Sequence, residues 1–315
     1  WGEVATAGRL AAGSLRAYEY ALRSHLVGTE DEPAHLAHLT VREVKVSTIH
    51  RRLSEVAAEH GEGAAKMARQ VLRSVLGLAV RHDAITANPV REVGAIKAPR
   101  GKAKPKRVEE ARGFTPEERD AVVAFADFDR RSVGRDLGDL VAFLAGSGAR
   151  IGEACALRWS ALDLDKGTAT LGPVVVRTKG EGLSIQEDGK TKAATRTVHL
   201  SPALVARLMA RQVAAPATEH GAVFTAPRGG LRDPSNTAQD FRDLLTDVGR
   251  EVFGDPDHLT WATSHTFRKT VATVLHEAGV PDVQVSNHLG HSRPSMTQDV
   301  YLSRRETPKA AASLL

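Results

Sequence analysis

His265 and Arg268 stand three residues apart in SHTFRKTVAT, residues 264–273. On a helix such a pair shares one face, so it is either two polar groups on a wet surface or half of an anion site. Arg150 follows Gly146, Ser147, Gly148 and Ala149. Small residues at a helix bend let the backbone come close to a ligand and set a guanidinium beside it. His288 and His291 in HLGHS have the spacing of a metal pair, but no third ligand or HExxH context accompanies them. Gly290 points instead to a tight turn that presents His291. Tyr301 follows in TQDVYLS and taken alone reads as a packing residue. Lys190 and Lys192 lie in GKTKAATRTVHL, before a strand-like alternation.

The elements that must position these residues follow from periodicity. Residues 1–96 read as a small helical bundle. Ser14 is placed to cap a helix with Leu15, Tyr18, Leu22 and Leu26 at helical spacing. Residues 46–60 repeat the pattern with Ile49, Leu53 and Val56, and residues 63–85 with Met67, Val71, Val75, Leu78 and Ala79. Asn88-Pro89 stops the helical run. Residues 97–113 hold Lys97, Arg100, Lys102, Lys104, Lys106 and Arg107 among Pro99, Gly101 and Pro105. Such a segment cannot build a core, and is either a solvated linker or a strap across a phosphate backbone.

A second domain opens with Thr115 as N-cap, Pro116 at N1 and Glu118 completing a capping box. A helix interrupted near GSGAR follows, then short strands, with residues 174–198 reading as a hairpin with a long loop. Ser201 caps the next helix. Residues 235–253 form another, and the helix carrying His265 and Arg268 ends at Gly279.

Composition narrows the function classes. At about 150 residues per domain, 315 residues suit two. Hydrophobic residues make up 42% and aromatics only 4%, so Ala, Leu and Val must pack the cores. The net charge of +5 fits a polyanionic partner. The single cysteine, Cys155, excludes a disulfide framework and a cysteine-based zinc site and fits a reducing compartment. No membrane-length apolar run and no signal peptide is visible, so the expected location is cytoplasmic, with no membrane partner. The chain starts at Trp1 without methionine, as a truncated chain lacking upstream domains would.

In order along the chain stand an Arg in a Gly-rich turn followed by Gly-Glu, a lysine hairpin, His-x-x-Arg, Leu-Gly-His and Tyr. This set resembles the tyrosine recombinase (phage integrase) family over about residues 114–303. The region before it resembles that family's helical core-binding domain, including the closing Asn88-Pro89. The resemblance implies a fold that is mainly α with a small antiparallel β-sheet. A helical core-DNA-binding domain (1–96), the basic linker (97–113) and an α+β catalytic domain (114–303) would form a C-shaped clamp on DNA. A tail (304–315) would dock on a neighbouring protomer or fray.

The chemistry implied is site-specific recombination. Arg150 and Arg268 would clamp the oxygens of one phosphate, each such donor worth about 3 kcal/mol. Tyr301 would be the nucleophile; a phenol of pKa about 10 needs a cationic site and a base. His265 would be that base, and His291 would hydrogen-bond a non-bridging oxygen or orient the tyrosine. Lys190, with Lys192 as the alternative, would protonate the leaving 5′-oxygen. The resemblance further implies a 3′-phosphotyrosine intermediate, neither cofactor, metal nor ATP, double-stranded core-site DNA as partner, a homotetramer on DNA and accessory DNA-bending proteins. The element served would be a mobile one of actinobacterial type, with an arm-binding domain missing upstream.

His199 stands where many members have proline, and the His291-to-Tyr301 spacing is one longer than in many relatives. Glu153 is expected to make a structural hydrogen bond, with Cys155 and Trp159 in the core. A type IB topoisomerase would share the arginines and tyrosine without pairing sites, but the helical N-terminal region and LGHS favour a recombinase. A non-cutting DNA-binding regulator would not need the full set, and a two-metal nuclease would need clustered carboxylates.

Overall fold

The computed structural model describes residues 12–28, 35–97, 112–178, 180–187, 195–214 and 218–290. The chain divides into two compact units, Trp1–Lys106 and Arg107–Leu315.

The first unit is helical. Helix α1 (Ala12–Tyr20) runs into a π-helical turn (Ala21–Val27), and α2 (Val46–His60) and α3 (Glu62–Arg81) pack as a hairpin. Its core joins Ala21 and Leu26 of the turn to Ile49, Leu53, Ala68, Val71, Leu72 and Leu76. The buried stripe on α3 keeps the expected Val71 but otherwise runs through Ala68, Leu72 and Leu76, with Met67 and Val75 only flanking it. Ser14 lies within α1 and caps nothing. Helix α3 stops at Arg81, before Asn88-Pro89, which instead begins a 3-10 turn (Pro89–Glu92). There the Asn88 side chain accepts from the Val90 N–H at 3.1 Å and donates to the Arg73 carbonyl at 2.9 Å. Arg69 donates to the Val93 and Gly94 carbonyls, holding the departing strand against α3.

The second unit is α+β. Helix α4 (Pro116–Phe128) starts with the expected capping box between Thr115 and Glu118. A short α5 (Arg130–Gly134) and α6 (Gly138–Ser147) follow, and after a three-residue break α7 (Ile151–Ala156). Strands β1 (Leu162–Asp163), β2 (Thr168–Leu171), β3 (Val174–Thr178), β4 (Gly182–Gln186) and β5 (Arg196–His199) lead to α8 (Pro202–Ala214). Helices α9 (Pro234–Val252), α10 (Ser264–Glu277) and α11 (Asp282–Leu289) complete the described part. Ser201 caps α8, its Oγ accepting from the Leu204 N–H at 3.3 Å.

The sheet corrects the hairpin expected over residues 174–198. Among the described residues strand β3 pairs with β4 alone, as an antiparallel hairpin. Strand β5 pairs with β2 instead, placing Arg196 opposite Leu171 in a β1-β2-β5 sheet. Alternation identifies a strand but not its partner, and a two-residue connection between β2 and β3 lets the hairpin leave the sheet. The core is built on Phe267 of α10, which lies 5.0 Å from the Phe114 ring and 5.4 Å from Phe241. Phe114 donates its N–H to Thr270 Oγ1 at 2.8 Å, so the start of the unit is tied to α10. Trp159 is only half-buried against the core, while Cys155 is buried.

Candidate active site

Arg150 occupies the break between α6 and α7. Helix α6 is closed by Gly148 in the left-handed region, φ +65°, a conformation that is cheap only for glycine. Arg150 then takes extended backbone as the N-cap of α7, and Glu153 in the first turn accepts its N–H at 2.8 Å. The same carboxylate accepts from Arg150 Nη1 at 2.9 Å. The Arg150 side chain remains 40% exposed while that of Glu153 is 3% exposed.

Arg268 and His265 come from the first turns of α10, capped by Thr263. The three-residue offset puts them near one another but not at equal depth. His265 is exposed, and Arg268 is buried at 2%. Arg268 donates from Nη1 to the Gly148 carbonyl at 3.1 Å and from Nη2 to the Leu289 carbonyl. Its seat is therefore the converging C-terminal ends of α6 and α11, whose carbonyls carry the negative end of the helix dipole. No ion pair to Arg268 exists among the described residues, and its buried Nε has no hydrogen-bond partner there. Burial lowers the pKa of this guanidinium, Arg150 and Arg196 lower it further, and Glu153 offsets them in part. An arginine stays charged regardless, so the shift marks a place short of negative charge.

Loss of surrounding water lowers the His265 pKa, followed by the charges of Arg268, Lys269 and Arg150. The three expected groups therefore lie within electrostatic reach of each other, and His265 is held neutral near pH 7. Close by, His288 shares Nε2 with the Ser147 carbonyl at 3.1 Å, so that nitrogen carries the proton. Burial lowers its pKa despite this bond. His288 thus fastens α11 to the end of α6 and is no free ligand. Among the described residues no group of three or more His, Cys, Asp or Glu could hold a metal.

Periodicity and motif reading missed Arg196. It rises from β5 with a side chain only 6% exposed and meets Glu153 in a two-pronged bond, Nη1 to Oε1 and Nη2 to Oε2, both 3.0 Å. Its Nε donates to the His288 carbonyl at 2.7 Å. The available signal was an arginine opening a strand a few residues after the candidate lysines. Lys190, Lys192, His291 and Tyr301 lie outside the described residues, as do Arg100, Lys102, Lys104, Lys106 and Arg107; Lys97 is described and exposed.

The helical unit is thus followed by an α+β unit in which Arg150 and Arg268 come together at one helix break. The chain belongs to the phage integrase family, whose pattern matches residues 115–307. It is 29% identical over 213 residues to a XerC-like tyrosine recombinase from Caldanaerobacter subterraneus subsp. tengcongensis, covering 59% of this chain and 52% of that protein. The chain thus spans about half the length of that relative. Its fold matches the Tn1549 transposon integrase in complex with transposon right end DNA, with a TM-score of 0.78 at 19% identity, covering 99% of this chain and 95% of the other. It also matches a lambda integrase from a tetramer bound to a Holliday junction, with a TM-score of 0.63 at 18% identity, covering 97% and 77%. Among the described residues no helix is long and apolar enough to cross a membrane.

Proposed function

We propose that the protein is a site-specific DNA recombinase of integrase type. It cleaves and rejoins strands through a 3′-phosphotyrosyl intermediate and so integrates or excises a mobile element. The observation that carries this reading is the seat of Arg268. A buried guanidinium held by helix-end carbonyls, without a carboxylate of its own among the described residues, keeps its full charge for an incoming anion. Arg150 stands at the accessible edge of the same seat.

In this reading the scissile phosphate meets Arg150 and His265 first, and Arg268 must become accessible to it on DNA binding. Tyr301 Oη attacks phosphorus, giving its proton to His265, while the bond to the 5′-oxygen breaks. Lys190, or Lys192, supplies the proton that the leaving 5′-oxygen takes up. His291 hydrogen-bonds a non-bridging oxygen. Religation reverses each transfer, so the phosphotyrosyl bond conserves the energy and neither ATP nor metal takes part. The lowered pKa of His265 suits the base role, because a neutral imidazole is what accepts the phenol proton.

Residues 1–96 would contact the core site and residues 97–113 would follow the phosphate backbone, with salt-sensitive affinity. The Tn1549 and lambda structures, bound to transposon-end DNA and to a Holliday junction, support duplex DNA as substrate and a homotetramer as the assembly. Accessory bending proteins would help arrange the sites. The test is incubation with a nicked suicide core site in EDTA. A covalent adduct at the 3′ side that disappears in Tyr301→Phe is expected, and a salt-sensitive gel shift without adduct would sink the reading. Strand exchange between two duplexes, as against relaxation of a supercoiled circle, separates recombinase from topoisomerase.

A further inference from the structure

Glu153 is a crowded carboxylate. Oε2 accepts from the Arg150 N–H at 2.8 Å and from Arg196 Nη2 at 3.0 Å. Oε1 accepts from Arg150 Nη1 at 2.9 Å and from Arg196 Nη1 at 3.0 Å. Four donors fill the four lone-pair positions of a carboxylate. The group is therefore a fixed point and not a base: it has no free lone pair to receive a proton. Two arginines address it, but they differ in depth. The Arg196 side chain is 6% exposed and that of Arg150 is 40% exposed.

This asymmetry has an electrostatic result. Glu153 and Arg150 alone would form a neutral pair, and the carboxylate would compete with any anion for the guanidinium. With Arg196 as a second cation on the same carboxylate, the formal charge of the triad is +1, and it lies on the outer member. Arg196 also reaches the other half of the seat. Its Nε bond to the His288 carbonyl lies one residue before Leu289, whose carbonyl receives Arg268. One buried side chain thus connects β5, the turn of Arg150 and the helix end that holds Arg268. In sequence, β5 is also the element that follows Lys190 and Lys192.

We infer that Arg196 is a positioning residue for strand cleavage: it balances Glu153 so that the charge of Arg150 stays available to the phosphate, and it fixes the two arginines relative to one another. This inference rests on the recombinase reading. Arg196 acts through its neighbours and does not itself meet DNA, so removing it should slow cleavage and leave DNA affinity intact.

The experiment measures single-turnover formation of the Tyr301 adduct on the suicide core site, with DNA affinity by gel shift, for the full chain and for Arg196→Lys and Arg196→Gln. Lysine keeps the charge but loses the fork; glutamine loses both. The expected adduct rates fall by about tenfold for lysine, which keeps the charge, and by about a hundredfold for glutamine, the lower end of the range for one lost preorganised donor, with dissociation constants within about twofold of wild type. Relative to the wild-type pH dependence, the rate in Arg196→Gln should also recover in part on acidification, because buried Glu153 without that cation takes up a proton at higher pH and releases Arg150. A purely structural role would lower the folded fraction and leave that pH dependence in place. If Arg196→Gln does not fold, as judged by circular dichroism, the lysine variant decides: slowed cleavage at unchanged affinity supports the inference, and a wild-type rate overturns it. Equal rates in all three proteins, or a loss of DNA affinity matching the loss of rate, also overturn it while the recombinase reading stands. Absence of any adduct from the wild-type chain overturns both.

Discussion

Replacing Gly148 by alanine probes how tightly the seat of Arg268 is built. Gly148 sits at φ +65°, and an added Cβ would lie 3.2 Å from Val271 Cβ, 3.3 Å from Val271 Cγ1 and 3.3 Å from Leu289 Cδ2. Two costs follow. Left-handed backbone with a Cβ costs about 1–2 kcal/mol, and forcing a methyl into a packed site costs about 1–3 kcal/mol. Val271 is a β-branched residue on a helix, with one preferred rotamer and little freedom to turn aside. The sum is about 2–5 kcal/mol. Gly279 supplies the control: it has φ +79° with nothing within 4 Å of an added Cβ, so Gly279→Ala bears the first cost alone. For a unit of this size 1 kcal/mol corresponds to about 2–4 °C. Thermal unfolding followed by circular dichroism should place the transition of the second unit about 4–20 °C lower in Gly148→Ala and about 2–8 °C lower in Gly279→Ala. If Gly148→Ala melts no lower than Gly279→Ala, then Val271 and Leu289 yield freely, and the claim that packing fixes the Arg268 carbonyl partners is wrong.

Thr115→Ala removes the acceptor of the α4 capping box and should cost about 1 kcal/mol, a fall of about 2–4 °C in the same transition; an unchanged midpoint would deny the cap any role. The rate of Tyr301 adduct formation should stay level as pH falls to 6.5 and decline only below it, because the His265 pKa is depressed from its ordinary 6.5; a midpoint above that value contradicts the neutral-base role. In the first unit, burial, then His60 and Arg52, lowers the pKa of His25, whose ring lies 4.6 Å from that of His60. The unfolded chain then binds the proton more readily. Stability of this unit should be complete above about pH 6.5 and lost as pH falls from there toward the folded value. Urea unfolding of His25→Phe should show a flatter dependence over that window, and an identical slope would assign the effect elsewhere.

Much of the second unit is legible locally, because its signals act over three or four residues. Thr115, Pro116 and Glu118 announce α4, Ser201 announces α8, and the small residues before Arg150 mark the break that the structure has at Gly148. Non-local choices are where the reading fails. Nothing in RTVHL says that β5 pairs with β2, because pairing is decided by which buried faces meet. Arg196 is passed over for the same reason: its burial depends on Glu153, 43 residues earlier in the chain. The His265–Arg268 spacing gives a shared face but not a shared depth, since an i, i+3 step is offset by about 60° around a helix. Ser14 shows the opposite error, a good cap residue that lies inside a helix.

The two arginines of the seat are held by different means, and under the proposed function the difference follows from what each must do. A buried cation needs compensation. A carboxylate would compensate Arg268 fully and would then compete for the guanidinium with any phosphate. Backbone carbonyls at Gly148 and Leu289 compensate it with dipoles, which orient and partly stabilise the charge without cancelling it. Arg150 does lean on a carboxylate, but one already engaged by Arg196. Both solutions leave positive charge in place before the ligand arrives, so little reorganisation is left for the moment when charge develops on the phosphate. A site made only to stabilise the fold would gain from the opposite arrangement, with carboxylates at least matching the arginines, as Arg207 finds with Asp127 and Asp139 and Arg211 with Asp136 and Asp139 elsewhere in the same unit. That contrast within one domain is the physical ground for reading Arg150 and Arg268 as a ligand site and the other pair as scaffold.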